Sequence, residues 1–203
     1  NYVSPRPSST TLQIPTQGIG EWCHGTYCPE INDSVFRSLA VGDRFDVEGI
    51  PFATPQHGKN IAFVSLWDNY PSALTIPVKA QKASVAHILL AGSTNHMQTH
   101  MDNAIIIANY KDGTSDTLHL IPPFNYCPIE QDFYVDGKAF QTVEPRPVRI
   151  CLATGTVSRN LGTALSINSD EVYGREIPGG AAQLLSMPLS PSKKLHSFTL
   201  IPL

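Results

Sequence analysis

Apolar and polar residues alternate with a period of two along much of this chain, and that alternation predicts strands buried on one face. Phe45 and Val47 lie between Arg44, Asp46 and Glu48; Leu74, Ile76 and Val78 lie between Thr75 and Pro77. Pro77 cannot donate to a sheet ladder, so it predicts an edge strand or a bulge there. Val148, Ile150 and Leu152 alternate in the same way with Arg149, Cys151 and Ala153. Two runs, residues 61–66 and 87–91, are apolar at nearly every position and predict central strands covered on both faces. Residues 105–110 and 117–120 flank Asp112-Gly113, the strongest hairpin signal in the chain. Residues 182–189 and 196–201, separated by Ser190-Pro191-Ser192, close the series.

About nine strands follow, punctuated by 17 prolines and 14 glycines. A 3.6-residue period is nowhere sustained for ten residues, which argues against βαβ units and bundles. One helical turn is predicted after Asn32-Asp33-Ser34, a capping sequence ahead of Val35, Phe36 and Leu39. The fold expected is all-β, a two-sheet antiparallel jelly-roll-like sandwich in which the apolar faces bury each other. Residues 1–20, rich in proline, serine and threonine, read as an extended lead-in or linker, and residues 21–203 as a single β-sandwich domain.

Composition narrows the function classes. With 203 residues the chain can bury a core without staples. Charged residues make up 15% and the formal net charge is −3, so nucleic acid is a poor partner. No apolar stretch approaches the ~20 residues of a membrane-spanning helix, so membrane insertion is not expected. The first residue is Asn1 and not Met, as removal of a signal peptide or excision from a longer polypeptide would leave it.

Several constellations carry candidate chemistry. Trp67, Asp68, Asn69 and Tyr70 follow an apolar run and precede Pro71. An aromatic face against a sugar's C–H face, with amide and carboxylate groups for its hydroxyls, would make a glycan site. The same four residues also suit a turn with Trp67 in the core and an Asx-type bond from Asp68 or Asn69. Trp22, on an irregular stretch, is a second possible platform. After the breaker Gly92, the loop bearing Asn95, His96, Gln98 and His100 offers ligand contacts or internal hydrogen bonds. His96-x3-His100 with Asp102 lacks the helical setting of a zinc motif. Tyr126, Glu130 and Asp132 form an aromatic and acidic segment, and the two carboxylates share a face if it is extended. That spacing suits backbone anchoring or a calcium ion, the one cofactor considered. It is poor for a glycosidase pair, whose members flank the scissile bond. Cys23-His24-x3-Cys28 lacks a second ligand pair, so Cys23, Cys28, Cys127 and Cys151 read as a local disulfide or free thiols. Gly179-Gly180 reads as a tight bend before a strand.

Six phrases add a resemblance. Asp46-Val47-Glu48-Gly49-Ile50-Pro51-Phe52, Ser65-Leu66-Trp67-Asp68-Asn69-Tyr70-Pro71, Leu90-Ala91-Gly92-Ser93-Thr94-Asn95, Tyr110-Lys111-Asp112-Gly113-Thr114, Cys127-Pro128-Ile129-Glu130-Gln131-Asp132 and Pro178-Gly179-Gly180-Ala181 occur in that order. Together they resemble the C-terminal β-sandwich region of large, secreted, glycoside-hydrolase-like Bacteroidetes proteins of the DUF4450 type. The region is also similar to the galactose-binding-like superfamily, including modules of the NPCBM type. The resemblance implies a secreted, periplasmic or cell-surface location and sugar-related biology, with catalysis on a separate upstream domain.

Three functions are therefore open. The first is a non-catalytic carbohydrate-binding-like accessory module of a larger glycan-processing protein, using Trp22, Trp67, Asp68, Asn69, Tyr70, Asn95, His96, Gln98, Tyr126, Glu130 and Asp132. The second is a structural module that packs on the neighbouring catalytic domain of the same polypeptide and binds no sugar itself. The third, an autonomous hydrolase, has no separated acid/base pair to name. An exposed aromatic beside convergent polar groups would favour the first; an exposed apolar patch would favour the second.

Overall fold

The structure, a computed structural model, describes residues 11–13, 30–53, 62, 64, 66, 71–92, 98–132, 145–167 and 176–203. β1 (Thr11–Gln13) pairs with β2 (Glu30–Asn32), and the one-turn helix α1 (Ser34–Ser38) follows. β3 (Arg44–Val47) and β4 (Ile50–Ala53) form a hairpin. Next come β5 (Leu74–Lys82), β6 (Val85–Leu90), β7 (Ala104–Tyr110) and β8 (Ser115–Leu120). The chain then forms β9 (Val148–Cys151), β10 (Val157–Ser158), the short helix α2 (Leu161–Ala164), β11 (Ala181–Pro188) and β12 (Lys194–Pro202).

Two four-stranded antiparallel sheets make the body of the molecule. The first has the order β5-β12-β7-β8 and the second β10-β9-β11-β6. Each sheet thus has one of the last two strands in its interior, β12 between β5 and β7, and β11 between β9 and β6. The inner faces meet in one cluster: Ile106, Ala108, Tyr110, Leu120 and Leu195 come from the first sheet, Leu185 and Met187 from the second. The far face of the second sheet is covered as well. Val148 and Ile150 pack there with Phe45 and Val47 of the β3–β4 hairpin, and Phe36 of α1 meets Phe45 edge-on at 4.8 Å. The all-β antiparallel sandwich predicted by the alternation is the architecture observed.

Particular elements confirm or revise the pattern. Pro77 lies on β5, at the edge of the first sheet, where its missing N–H breaks no ladder between two strands. The hairpin at Asp112-Gly113 forms: Gly113 has φ +83°, and the Asp112 carboxylate accepts from the Thr114 amide at 3.0 Å and hydroxyl at 2.6 Å. The helical turn also forms, with Asp33 at the N-cap position but no side-chain cap bond from it; Asn32 Oδ1, one residue earlier, accepts from the Ser34 amide at 3.0 Å. The apolar run at 87–91 falls on β6, which is the end strand of its sheet among the described residues. Both faces are covered only in part: Ile88 and Leu90 pack on the inter-sheet core and Leu89 on the cluster with the outer hairpin, while His87 and Ala91 are exposed, so the apolar run reports contact on two faces. It does not report pairing on both edges. Thr11–Gln13, inside the expected lead-in, is drawn into a ladder with β2. Every second residue of the run 61–66 (61, 63 and 65) lies outside the described residues, so the strand expected there is not described.

Candidate functional site

Among the described residues a dense buried polar grouping lies at one end of the second sheet, under residues 124–132, a strap that follows β8. Arg149 on β9 and Gln183 on β11 are cross-strand partners, and both are buried. Gln183 accepts from the Cys127 amide at 3.2 Å and donates to the Asn125 carbonyl at 3.0 Å. Arg149 donates to the Pro128 carbonyl at 2.8 Å and to the Gln131 carbonyl. The strap's own backbone completes the attachment. The Ile129 amide donates to Gly92 O at 2.8 Å, Ala181 N to Ile129 O at 2.7 Å and Ile177 N to Glu130 O at 2.7 Å. Tyr126 enters the inter-sheet core, while Ile129 joins Ile31, Leu152 and Ala182. The strap therefore wraps the end of the second sheet from one face to the other.

The acidic side chains of this strap point inward. Glu130 is 7% exposed, Asp132 4% and Tyr126 5%. Asp132 accepts from the Gly162 amide at 2.7 Å, at the start of α2, and its other oxygen lies 3.8 Å from the Arg149 guanidinium. Burial raises the Glu130 carboxyl to about 7, against the opposing pull of its own amide and Arg149, with Glu176 adding to the rise. Burial likewise raises the Tyr126 hydroxyl, helped by Glu130 and Cys127. It raises the Cys127 thiol to about 12, which keeps it protonated and non-nucleophilic at neutral pH. Cys127 and Cys151 are both buried free thiols.

Of the sequence-derived candidates, Tyr126, Glu130 and Asp132 are thus brought together, in the interior. Gln98 contributes its carbonyl to Asn103 Nδ2 at 3.0 Å, in the loop before β7. Trp22, Trp67, Asp68, Asn69, Tyr70, Asn95 and His96 lie outside the described residues, as do Cys23 and Cys28. His100 stacks edge-on with Phe124 at 4.9 Å, and Asp102 pairs with His119 at 2.9 Å on the exposed rim. Among the described residues no three His, Cys, Asp or Glu side chains converge on a possible metal position. The guanidinium beside Asp132 opposes a cation there, so calcium does not fit the pair.

Arg149 and Gln183 are what sequence reasoning missed. The alternation at 148–152 suggested that Arg149, Cys151 and Ala153 face water. The presence of Cys and Ala on that supposedly wet face was the available signal that something covers it. The chain matches no protein-family model, no curated protein and no solved structure. Its functional reading therefore rests on its own surfaces.

One surface is distinctive. On the outer face of the first sheet, register sets Thr75, Thr199, Ile107 and Thr117 in one row. Pro77, Ser197, Asn109 and Ser115 form the next, and Ile201, Ile105 and His119 a third. Asn109 Nδ2 donates to Ser197 Oγ at 3.2 Å and Thr199 Oγ1 at 3.0 Å, and the Thr75 and Thr199 hydroxyls meet at 3.2 Å. The two central strands, β7 and β12, present no charge on these three rows. Ile105, Ile107 and Ile201 belong to none of the core clusters and keep partial exposure, while Thr75, Pro77, Ser115, Thr117 and His119 at the edges are exposed.

Proposed function

We propose that this chain is a non-catalytic β-sandwich module that docks on a neighbouring domain of the same polypeptide through the outer face of its first sheet. The observation that carries this reading is the uncharged centre of that face. Outer sheet faces meant for water usually alternate in charged or strongly polar residues. Here three isoleucines stand beside a short hydrogen-bonded network of Thr75, Thr199, Asn109 and Ser197. Strand and residue spacings give the face roughly 19 by 20 Å, or ~400 Å². Covering it would bury ~800 Å² in total, within the roughly 600–1,500 Å² of contacts between domains of one chain. It is below the ~1,200 Å² at which stable complexes of free partners begin. A tethered partner therefore suits the face better than a diffusing one.

The resemblance to glycoside-hydrolase-like proteins supports a catalytic domain as that neighbour. Radical footprinting of Ile105, Ile107 and Ile201 tests the reading. They should be labelled in this chain alone and protected in the full-length polypeptide, and a calorimetric glycan screen of the chain should be blank. Equal labelling in the two contexts would remove the docking role. Glycan binding that survives Ile107→Lys would return the function to the sequence segments bearing Trp67 and Asn95.

A further inference from the structure

The two buried carboxylates of the strap share one buried guanidinium, that of Arg149 on β9. Arg149 stands 3.8 Å from Asp132, and its NH1 and NH2 groups also serve the Gln131 and Pro128 carbonyls. Asp132 has, besides, the Gly162 amide. Glu130 has its own backbone amide as a donor, but its Oε2 is buried and without a hydrogen-bond partner among the described residues, as is Asp132 Oδ1, which has the guanidinium beside it. The charged and titratable groups around it are Arg149 on β9, Glu176 ahead of β11, and Tyr126, Cys127 and Asp132 on the strap itself, with Arg146 acting on Cys127. Balance is reached only when Glu130 is neutral. Ionised, it would leave a net negative charge in the interior with an oxygen that nothing solvates, a costly state.

We infer that Glu130 is a pH-sensitive latch: protonated, it lets residues 124–132 close over Arg149 and Gln183, and ionised, it favours a local opening of the strap. The opening frees the carboxylate into water and breaks contacts that residues 128–131 make to Arg149, Gly92, Ile177 and Ala181. It would expose Cys127, otherwise held at 3.4 Å from the Gln131 carbonyl. The switch falls near neutrality, because burial places the carboxyl at about 7. β7 and β12 take no part in it.

Amide hydrogen exchange between pH 5 and 7.5, corrected for intrinsic rates, tests the latch. The Ile129, Ile177 and Ala181 amides should exchange ahead of those of Ala108 and Thr199, which report global unfolding. Their protection should fall on the order of 50-fold across that range, as one proton lost per opening requires. Glu130→Gln should flatten the profile. Glu176→Gln, an exposed change, should move it to lower pH. Strap and reference amides sharing one protection at every pH would overturn the inference, as would a flat wild-type profile or a fall that persists in Glu130→Gln. If Glu130→Gln fails to fold, the wild-type profile and the Glu176→Gln shift decide alone.

Discussion

Gln183 and Arg149, paired across β11 and β9, divide the strap between them: Gln183 holds residues 125 and 127, and Arg149 holds residues 128 and 131. Both are buried, and together they provide acceptor and donor groups for a stretch of backbone that has no strand to pair with throughout. An irregular segment can be buried only if its peptide groups are satisfied, and this pair does much of that work.

Arg149→Met should therefore cost far more than its lost packing. It leaves the Pro128 and Gln131 carbonyls without their donor and the Asp132 carboxylate without its neighbouring positive charge, a loss of about 3–5 kcal/mol for a broken buried pair. Urea denaturation should show the midpoint falling. Arg149→Lys should recover only part, because one ammonium cannot replace the two ends of the guanidinium.

The buried Glu130 sets a pH slope on global stability. Its folded-state value, about 7, exceeds its ordinary 4.5, so its favourable contribution is complete below 4.5. That contribution is lost as the pH rises through about 7. At ~1.4 kcal/mol per pH unit the full difference is roughly 3 kcal/mol. Wild type should thus lose stability in chemical denaturation between pH 5 and 7.5, and Glu130→Gln should lose much less.

Gly92 has no room for a side chain. A Cβ there would lie 2.2 Å from the Tyr126 hydroxyl and 3.2 Å from the ring carbon that bears it. Gly92→Ala should destabilise by about 1–3 kcal/mol, the usual cost of overpacking. Adding Tyr126→Phe removes the nearest atom and should recover part of the loss. A double-mutant cycle should therefore show a favourable coupling; strictly additive effects would place the hydroxyl elsewhere.

At the other end of the core, Tyr110 donates to Asp116, and the Ser190 amide donates to both, at 2.8 and 2.9 Å. Tyr110→Phe should cost about 1–3 kcal/mol, because the half-buried Asp116 carboxylate loses a donor. The loss should shrink in acid, since Tyr110 is the first cause of the lowered Asp116 carboxyl and its stabilising bond weakens once Asp116 is protonated.

The outer face of β7 and the inter-sheet core should respond differently. Ile107→Lys on the outer face should change the stability of the isolated chain by no more than about 0.5 kcal/mol. Leu185→Ala, in the inter-sheet core, should cost about 2–5 kcal/mol. A large loss from Ile107→Lys would mean that the outer face is already covered within this chain.

Local patterns were sufficient for the sheets. Phe45 and Val47 announced a one-sided strand, Asp112-Gly113 a hairpin and Pro77 an edge, because each depends on neighbours in sequence. The strap was not legible in the same way. Tyr126, Glu130 and Asp132 look like an open polar site until β9 and β11 supply Arg149 and Gln183, residues far along the chain. Inward and outward carboxylates have the same local spacing, and only tertiary placement separates an anchor from a binding group.

The positions of β11 and β12 have a consequence for synthesis. Each sheet has one of these strands in its interior, so β6 cannot join β9, nor β5 join β7, until β11 and β12 are available. On the ribosome the earlier strands must wait with their inner faces uncovered. During that interval the nascent chain is most open to mispairing and to chaperone capture, and folding of the sandwich should follow emergence of β12 from the exit tunnel.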